Sequence, residues 1–419
     1  MPASSSGSSR PTTLEPVHDF SAKLRQPSLW PQVVDYVRWQ RALRQAEREG
    51  LPLPAVPPLI PISINLDLTT ACNYACDHCI DWDILNSPVK HEDQELRAAL
   101  QRMAKGGLKS VILIGGGEPT LYPGFVDFVR YLKELELQVA VVSNGSRGDK
   151  LLAIAPYFDE RDWIRLSLDS GTNATFQRMH HPSKKDLTLD EICGWVTKIK
   201  QSYPKVTVGF SYVMTWKGAS RDDVKVVENL HEMELAARRA RDAGFDYISF
   251  KPFLLRAANG SEVMDPKKAE EELAGVIARI RVALAACQQL ARPGFRVVES
   301  TNLRVLLTGT WQELTRQPKT CHMQALRQVL TPHGTFNCPA YRGVTFAQIG
   351  PKDAYADAPR AEVTARATQG LLQHFDASDR CKEVTCLYHG TNWWIEKLVE
   401  SSVDPASLEL VNERFDHFL

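Results

Sequence analysis

Three cysteines stand in the run Leu66-Asp67-Leu68-Thr69-Thr70-Ala71-Cys72-Asn73-Tyr74-Ala75-Cys76-Asp77-His78-Cys79, spaced first by three residues and then by two. A fold that uses them must bring all three thiols to one point. A cubane of four irons and four sulfides takes one ligand per iron, so three cysteines leave one iron open to something other than protein. Structural zinc takes a closed set of four ligands, and no partner pair of cysteines follows nearby. Ahead of the loop, Ile62, Ile64, Leu66 and Leu68 alternate as a strand does. In a β/α barrel the loop beyond such a strand lies on the face that carries the chemistry.

A second strand-to-glycine motif follows about one β/α unit later. Lys109 to Ile114 is a continuous apolar-type strand that runs into Gly115-Gly116-Gly117-Glu118-Pro119-Thr120. Glycines let the backbone approach a ligand closely, and a carboxylate beyond them can accept from a cationic amine. An isolated glycine run would be an ordinary turn. Its place after a strand, downstream of the cysteine loop, ties it to the same site.

These residues resemble the radical S-adenosylmethionine enzymes, with His78 at the usually aromatic position before the last cysteine. By that resemblance Cys72, Cys76 and Cys79 hold a 4Fe-4S cluster whose open iron is chelated by S-adenosylmethionine. Its reductive cleavage releases a 5′-deoxyadenosyl radical. The resemblance further implies that Gly116 and Gly117 line the amino end of S-adenosylmethionine and that Glu118 sits beside its ammonium. An electron donor such as flavodoxin or ferredoxin is implied with them.

Later strands recur at barrel-like intervals. Gln138–Val142 ends in Ser143-Asn144-Gly145, Trp163–Leu168 ends in Asp169-Ser170-Gly171, and Lys205–Met214 and Phe245–Pro252 supply two more. The resemblance makes Ser167 and Asp169 candidates for ribose and methionine contacts, with Asn144 and Ser211 as further lining residues. Taken singly, each serves equally well as a cap or turn residue. Lys251 would point a cation into the barrel mouth, where it must find an anion or stay wet.

Amphipathic helical patterns lie between the strands. Leu96, Leu100 and Met103 share one face in Glu92–Lys105, and Phe125, Phe128, Val129 and Leu132 share one in Phe125–Leu135. The alternation predicts an α/β fold: a partial (β/α)6 TIM-like barrel over residues 62–256. A small α+β iron-sulfur module is expected to follow.

Residues 1–17, rich in Ser, Pro and Thr, are expected to form a disordered tail. Residues 18–61 are expected to form a helical arm and linker, its Trp30, Val33, Val34 and Val37 packing against the body. Beyond the barrel come a helical connection and strand over 257–317, the module over 318–390 and a helical tail over 391–419.

Cys193 and Cys287 lie in apolar helical stretches, the second from Pro266 to Leu290, and read as inert core thiols. Cys321, Cys338, Cys381 and Cys386 are different. Gln328–Thr331, the turn Pro332-His333-Gly334 and Thr335–Cys338 form a predicted hairpin ending on a cysteine, and a close pair follows more than forty residues later. This arrangement resembles the twitch form of the SPASM auxiliary-cluster domain, although the gap within the closing pair is wider than usual. It implies an auxiliary iron-sulfur cluster. A zinc site and unligated thiols remain open alternatives, and His389 could replace one cysteine.

With 50 basic and 50 acidic residues among 419, the chain carries no charge excess that would suit nucleic acid. It has no apolar run long enough to span a bilayer and no secretory signal pattern, and its nine cysteines fit a reducing cytoplasm. The expected function is hydrogen abstraction from a small molecule or peptide, with an auxiliary cluster completing an oxidation. Redox-neutral epimerisation, peptide cross-linking and a metal-binding scaffold are the alternatives. The N-terminal stretch is short for a precursor-peptide recognition domain, which favours a small molecule.

Overall fold

The computed structural model describes residues 19–264 and 271–419. The expected disordered tail over 1–17 and the start of the helix expected from Pro266 lie outside them.

Five parallel strands follow the predicted runs: β1 (Ser63–Leu66), β2 (Ser110–Leu113), β3 (Gln138–Ser143), β4 (Trp163–Ser167) and β5 (Thr207–Met214). A sixth, β6 (Tyr247–Pro252), pairs with β5. Helices such as Asp93–Lys105, Phe125–Glu134 and Leu189–Ser202 occupy the connections. Their apolar faces form one core with the outward residues of the strands, including Val111, Val139, Ile164, Phe210 and Phe250. The α/β, partial-barrel expectation therefore holds for these six strands.

The sheet is larger than the six units expected. β7 (Arg296–Glu299) adds in parallel to β6, because Val297 and Val298 continue the apolar edge. On the opposite edge, β8 (Arg327–Thr331) runs parallel to β1, Ser63 facing Arg327 and Leu66 facing Leu330. The hairpin expected at Gln328–Cys338 is present, with β9 (Gly334–Phe336) antiparallel to β8 and β10 (Gln348–Gly350) antiparallel to β9. The resulting order is β7-β6-β5-β4-β3-β2-β1-β8-β9-β10. The C-terminal module thus shares a hydrogen-bonded sheet with the barrel.

The arm forms the helix Trp30–Glu49, which Gly50 ends in a left-handed conformation. Its Trp30, Val33, Val34 and Val37 are buried in a second core with Ile395, Leu398 and Val399. Arg44 clamps Glu396 at 2.9 and 2.7 Å.

The C-terminal tail corrects another expectation. Helix His389–Glu400 is followed by a short 3-10 turn at Pro405–Ser407 and then by irregular chain. Pro405 cannot continue a helix, and side chains of the barrel satisfy this segment's backbone instead. Ser110 Oγ donates to the His417 carbonyl at 2.9 Å, and His417 N–H donates to Gln138 Oε1 at 3.0 Å. Phe418 packs against Trp163, Ile112 and Ala140 at the amino ends of the strands. Among the described residues no helix is long and apolar enough to cross a membrane.

Candidate active site

The loop after β1 carries Cys72, Cys76 and Cys79, all free thiols and all partly buried. Backbone and side chains from four directions hold it. Cys72 N–H donates to Asn86 Oδ1 at 2.9 Å, and Asp77 N–H donates to the Met179 carbonyl at 3.0 Å. Asn144 Nδ2 donates to Asn73 Oδ1 at 3.0 Å, and Arg221 donates to the carbonyls of Cys76 and Cys79 at 3.4 and 3.3 Å.

The glycine run after β2 closes against this loop. Glu118 N–H donates to the Ala71 carbonyl at 2.8 Å. A Cβ on Gly117 would overlap the Thr70-Ala71 backbone, so only glycine permits this approach. Gly115, at φ +80°, lies against Arg342 and Asp67 in the same way. The two motifs form one wall.

Glu118 is buried and well satisfied. Its carboxylate accepts from Thr120 N–H at 3.0 Å, Thr120 Oγ1 at 2.6 Å, Ser143 Oγ at 2.8 Å and Asn144 N–H at 2.7 Å. These donors tie the glycine run to the end of β3, and burial outweighs them in raising the Glu118 carboxyl above its usual range.

Asp169 follows β4 at φ +49° and is also engaged. Its Oδ1 accepts from Val213 N–H at 2.6 Å, and its Oδ2 lies 3.0 Å from His78 Nε2. Burial opposes ionisation here, but His78 and Val213 hold the carboxyl below its ordinary value. His78 Nδ1 and Ser211 Oγ are buried without partners. Ser167 faces the same side as Ser211, opposite it in the β4/β5 register. Together these atoms offer unused polar contacts at the barrel mouth, next to the cysteine loop.

Three residues at the site carried no signal that the sequence reading used. His180 lies with its Nδ1 3.2 Å from Cys76 Sγ and its Nε2 3.0 Å from the Leu168 carbonyl. Arg342 reaches in from the C-terminal module to Asp67 and Asp81. Arg165 lies on β4, where a cation interrupting the apolar run Trp163-Ile164-Arg165-Leu166 was a legible anomaly.

The second group of cysteines converges as well. Cys321, Cys338, Cys381 and Cys386 all line one cavity of about 180 Å³ between the module and the segment after β6, beside Arg327 and Tyr388. Burial pushes the Cys338 thiol up to about 11 and that of Cys386 up to about 12. His389 begins the next helix. Cys193 and Cys287 are buried in their helices, outside both groups.

Tetrahedral zinc, with Zn–S near 2.3 Å, holds its sulfurs about 3.8 Å apart. Among the described residues no three cysteine sulfurs lie within 4.8 Å of one another; the group that does is His78, Asp169 and His180. Burial raises the Cys72 thiol to about 11 and the Cys79 thiol to about 12, so metal must displace their protons on binding.

Comparison with known proteins agrees with this geometry. Residues 66–230 match the Radical SAM superfamily, and the chain carries that family's domain there. The S-adenosylmethionine-dependent nucleotide dehydratase of Selenomonas ruminantium is 26% identical over 166 residues, which are 38% of this chain and 58% of that protein. Mycofactocin maturase MftC of Mycobacterium ulcerans is 32% identical over 115 residues, 27% of this chain and 30% of that one. The chain therefore matches less than two thirds of either relative. A solved structure, native anSMEcpe with bound AdoMet and Cp18Cys peptide, superposes with a TM-score of 0.51 at 13% identity, covering 85% of this chain and 93% of that one. That is a likeness of fold.

Proposed function

From the premise that residues 66–230 are a radical SAM domain, we propose that the protein removes hydrogen from a peptide or small-molecule substrate and completes a two-electron oxidation. One observation carries the reading. The Cys72–Cys79 loop and the Gly115–Glu118 run are joined backbone to backbone at the carboxyl ends of β1 and β2.

Cys72, Cys76 and Cys79 would hold the 4Fe-4S cluster, which with S-adenosylmethionine supplies a 5′-deoxyadenosyl radical as hydrogen acceptor. Glu118 supplies a fixed negative charge behind Gly116 and Gly117, where an ammonium would be favoured. Ser167 would bind the ribose and methionine portions, with Asp169 and Asn144 holding the walls. His78 keeps Asp169 in place through the 3.0 Å contact.

Cys321, Cys338, Cys381 and Cys386 would hold an auxiliary cluster in a SPASM/twitch-like module, an acceptor for the second electron while the substrate releases a proton. A redox-neutral course needs a hydrogen donor near the substrate. The two remaining cysteines, Cys193 and Cys287, are buried in helices on the outer side of the sheet, which supports oxidation instead. The same reading has a flavodoxin- or ferredoxin-type donor and a reducing compartment.

The test is anaerobic reconstitution with iron and sulfide, reduction, and assay of 5′-deoxyadenosine. Its formation should require each of Cys72, Cys76 and Cys79. Undiminished product from the triple Ala variant would leave the site a structural metal centre.

A further inference from the structure

The inner face of the sheet carries two cations whose side chains form no ion pair within 4 Å among the described residues. Side chains alternate across a strand, and the registers align Arg165 with Gly209 and Tyr247, Ser167 with Ser211 and Ser249, and Val213 with Lys251. The intervening residues, among them Leu166, Phe210 and Phe250, pack outward into the helical core. The aligned rows therefore face the barrel interior. Arg165, Ser167, Val213, Ser249 and Lys251 remain partly exposed although they belong to central strands, so solvent reaches this hollow. Trp163, Phe418 and the Tyr247 ring, which lies over Gly209, close its floor.

The Arg165 side chain makes no hydrogen bond or ion pair among the described residues; its Nε is buried without a partner. Its guanidinium rests 5.3 Å above the Trp163 ring. Lys251 has no such partner among them either. Asp169 is the carboxylate that acts on it, and Asp169 is already held by Val213 and His78. Burial, with the like charge of Arg165, brings the Lys251 ammonium down to about 7. Between the two cations, Ser211 Oγ is buried and unpartnered. Two like charges in a largely enclosed hollow repel, and one anion would offset both while accepting a hydrogen bond from the free hydroxyl.

We propose that Arg165, Lys251 and Ser211 form an oxyanion site inside the barrel that anchors a carboxylate or phosphate of the substrate. The proposal rests on the reading of the barrel mouth as the S-adenosylmethionine site. Arg165 lies two residues before Ser167 and Lys251 two beyond Ser249, each roughly 7 Å along its strand, so the cations approach Ser211 from the floor side and the mouth side and the anchored group sits beside that cosubstrate. An anion held there leaves the rest of the substrate directed toward the cysteine loop. A substrate end or side chain fits this closed hollow; a chain threaded through it does not.

The test is calorimetric titration of the reconstituted, unreduced protein, saturated with S-adenosylmethionine, with inorganic phosphate in one arm and succinate in the other. Tighter phosphate binding assigns a phosphoryl group, and tighter succinate binding assigns a carboxylate. Either should weaken about tenfold or more in Arg165→Leu and in Lys251→Met, while Arg165→Lys, which keeps the charge, should retain most of the binding. Absence of binding in both arms, or equal binding in wild type and both charge-removing variants, would overturn the site. So would loss of binding when S-adenosylmethionine is added, which would make the cations part of its own site. Because the titration reads binding without turnover, a failure of deoxyadenosine formation would count against the radical chemistry and not against the anion site.

Discussion

Arg342 Nη1 donates to Asp67 Oδ1 at 3.1 Å, linking the residue four beyond Cys338 to the end of the first barrel strand. Its Nη2 donates to Asp81 Oδ2 at 2.6 Å, two residues beyond Cys79. Asp81 in turn accepts from Gly116 N–H at 3.3 Å. One guanidinium therefore contacts the first strand, the cysteine loop and, through Asp81, the glycine run. Burial alone would disfavour its charge, but Asp67, Asp81 and Glu262 surround it and hold it protonated.

Removing this cation leaves the buried Asp67 without its ion-pair partner and Asp81 with Arg256 at 3.6 Å. Arg342→Met should lower stability by about 3–5 kcal/mol, the usual cost of breaking a buried pair from one side, measured by urea unfolding. A loss under 1 kcal/mol would show that water replaces the guanidinium.

The tail prediction concerns the barrel floor. Phe418 is 7% exposed, with its ring 5.4 Å from that of Trp163. Phe418→Ala should cost about 3–5 kcal/mol and increase acrylamide quenching of tryptophan fluorescence. Wild-type stability in the variant would mean that the segment detaches in solution.

His91 should govern part of the acid response. Its Nε2 lies 3.0 Å from the Asp67 carbonyl, and burial lowers its ring to about 4. The unfolded chain takes up this proton near pH 6.5 and the folded chain only near 4. Stability therefore falls as pH drops through that window, by at most about 1.4 kcal/mol per unit from this residue. His91→Gln should flatten the slope between those limits. An unchanged slope would assign the acid response to other groups.

Glu118→Gln replaces an acceptor-only group that takes four hydrogen bonds. The amide must turn a donor toward at least one of those partners. S-adenosylmethionine binding should weaken about tenfold or more, read by equilibrium dialysis. An unchanged dissociation constant would reduce the residue to a loop anchor.

The cysteine groups can be separated by metal content. With Cys72, Cys76 and Cys79 changed to Ala, about four irons should remain if the second cluster is a cubane. Substituting Cys381 and Cys386 in that variant should remove the remainder, and in the otherwise intact protein the same substitution should preserve some deoxyadenosine formation while suppressing oxidised product. Zinc in the triple variant, after anaerobic expression with ample iron, would make the module a structural cap.

The residues that the chain's local pattern determined are those whose signal is short in range. β1 to β6 followed from alternation and apolar runs, and the hairpin at Pro332-His333-Gly334 followed from its turn residues. The grouping of Cys72, Cys76 and Cys79 needed only their spacing. The helical tail expected over 391–419 failed past Glu400 because its backbone partners, Ser110 and Gln138, lie hundreds of residues away. The parallel pairing of β8 with β1 failed to show for the same reason, since strand propensity does not name a neighbour. Arg342 and His180 became site residues only when distant segments met, Arg342 beside Asp67 and His180 beside Cys76. Arg165 stands between these cases. Its position on a strand was legible, but its lack of a counter-charge among the described residues is a property of the assembled barrel interior, which no local pattern encodes.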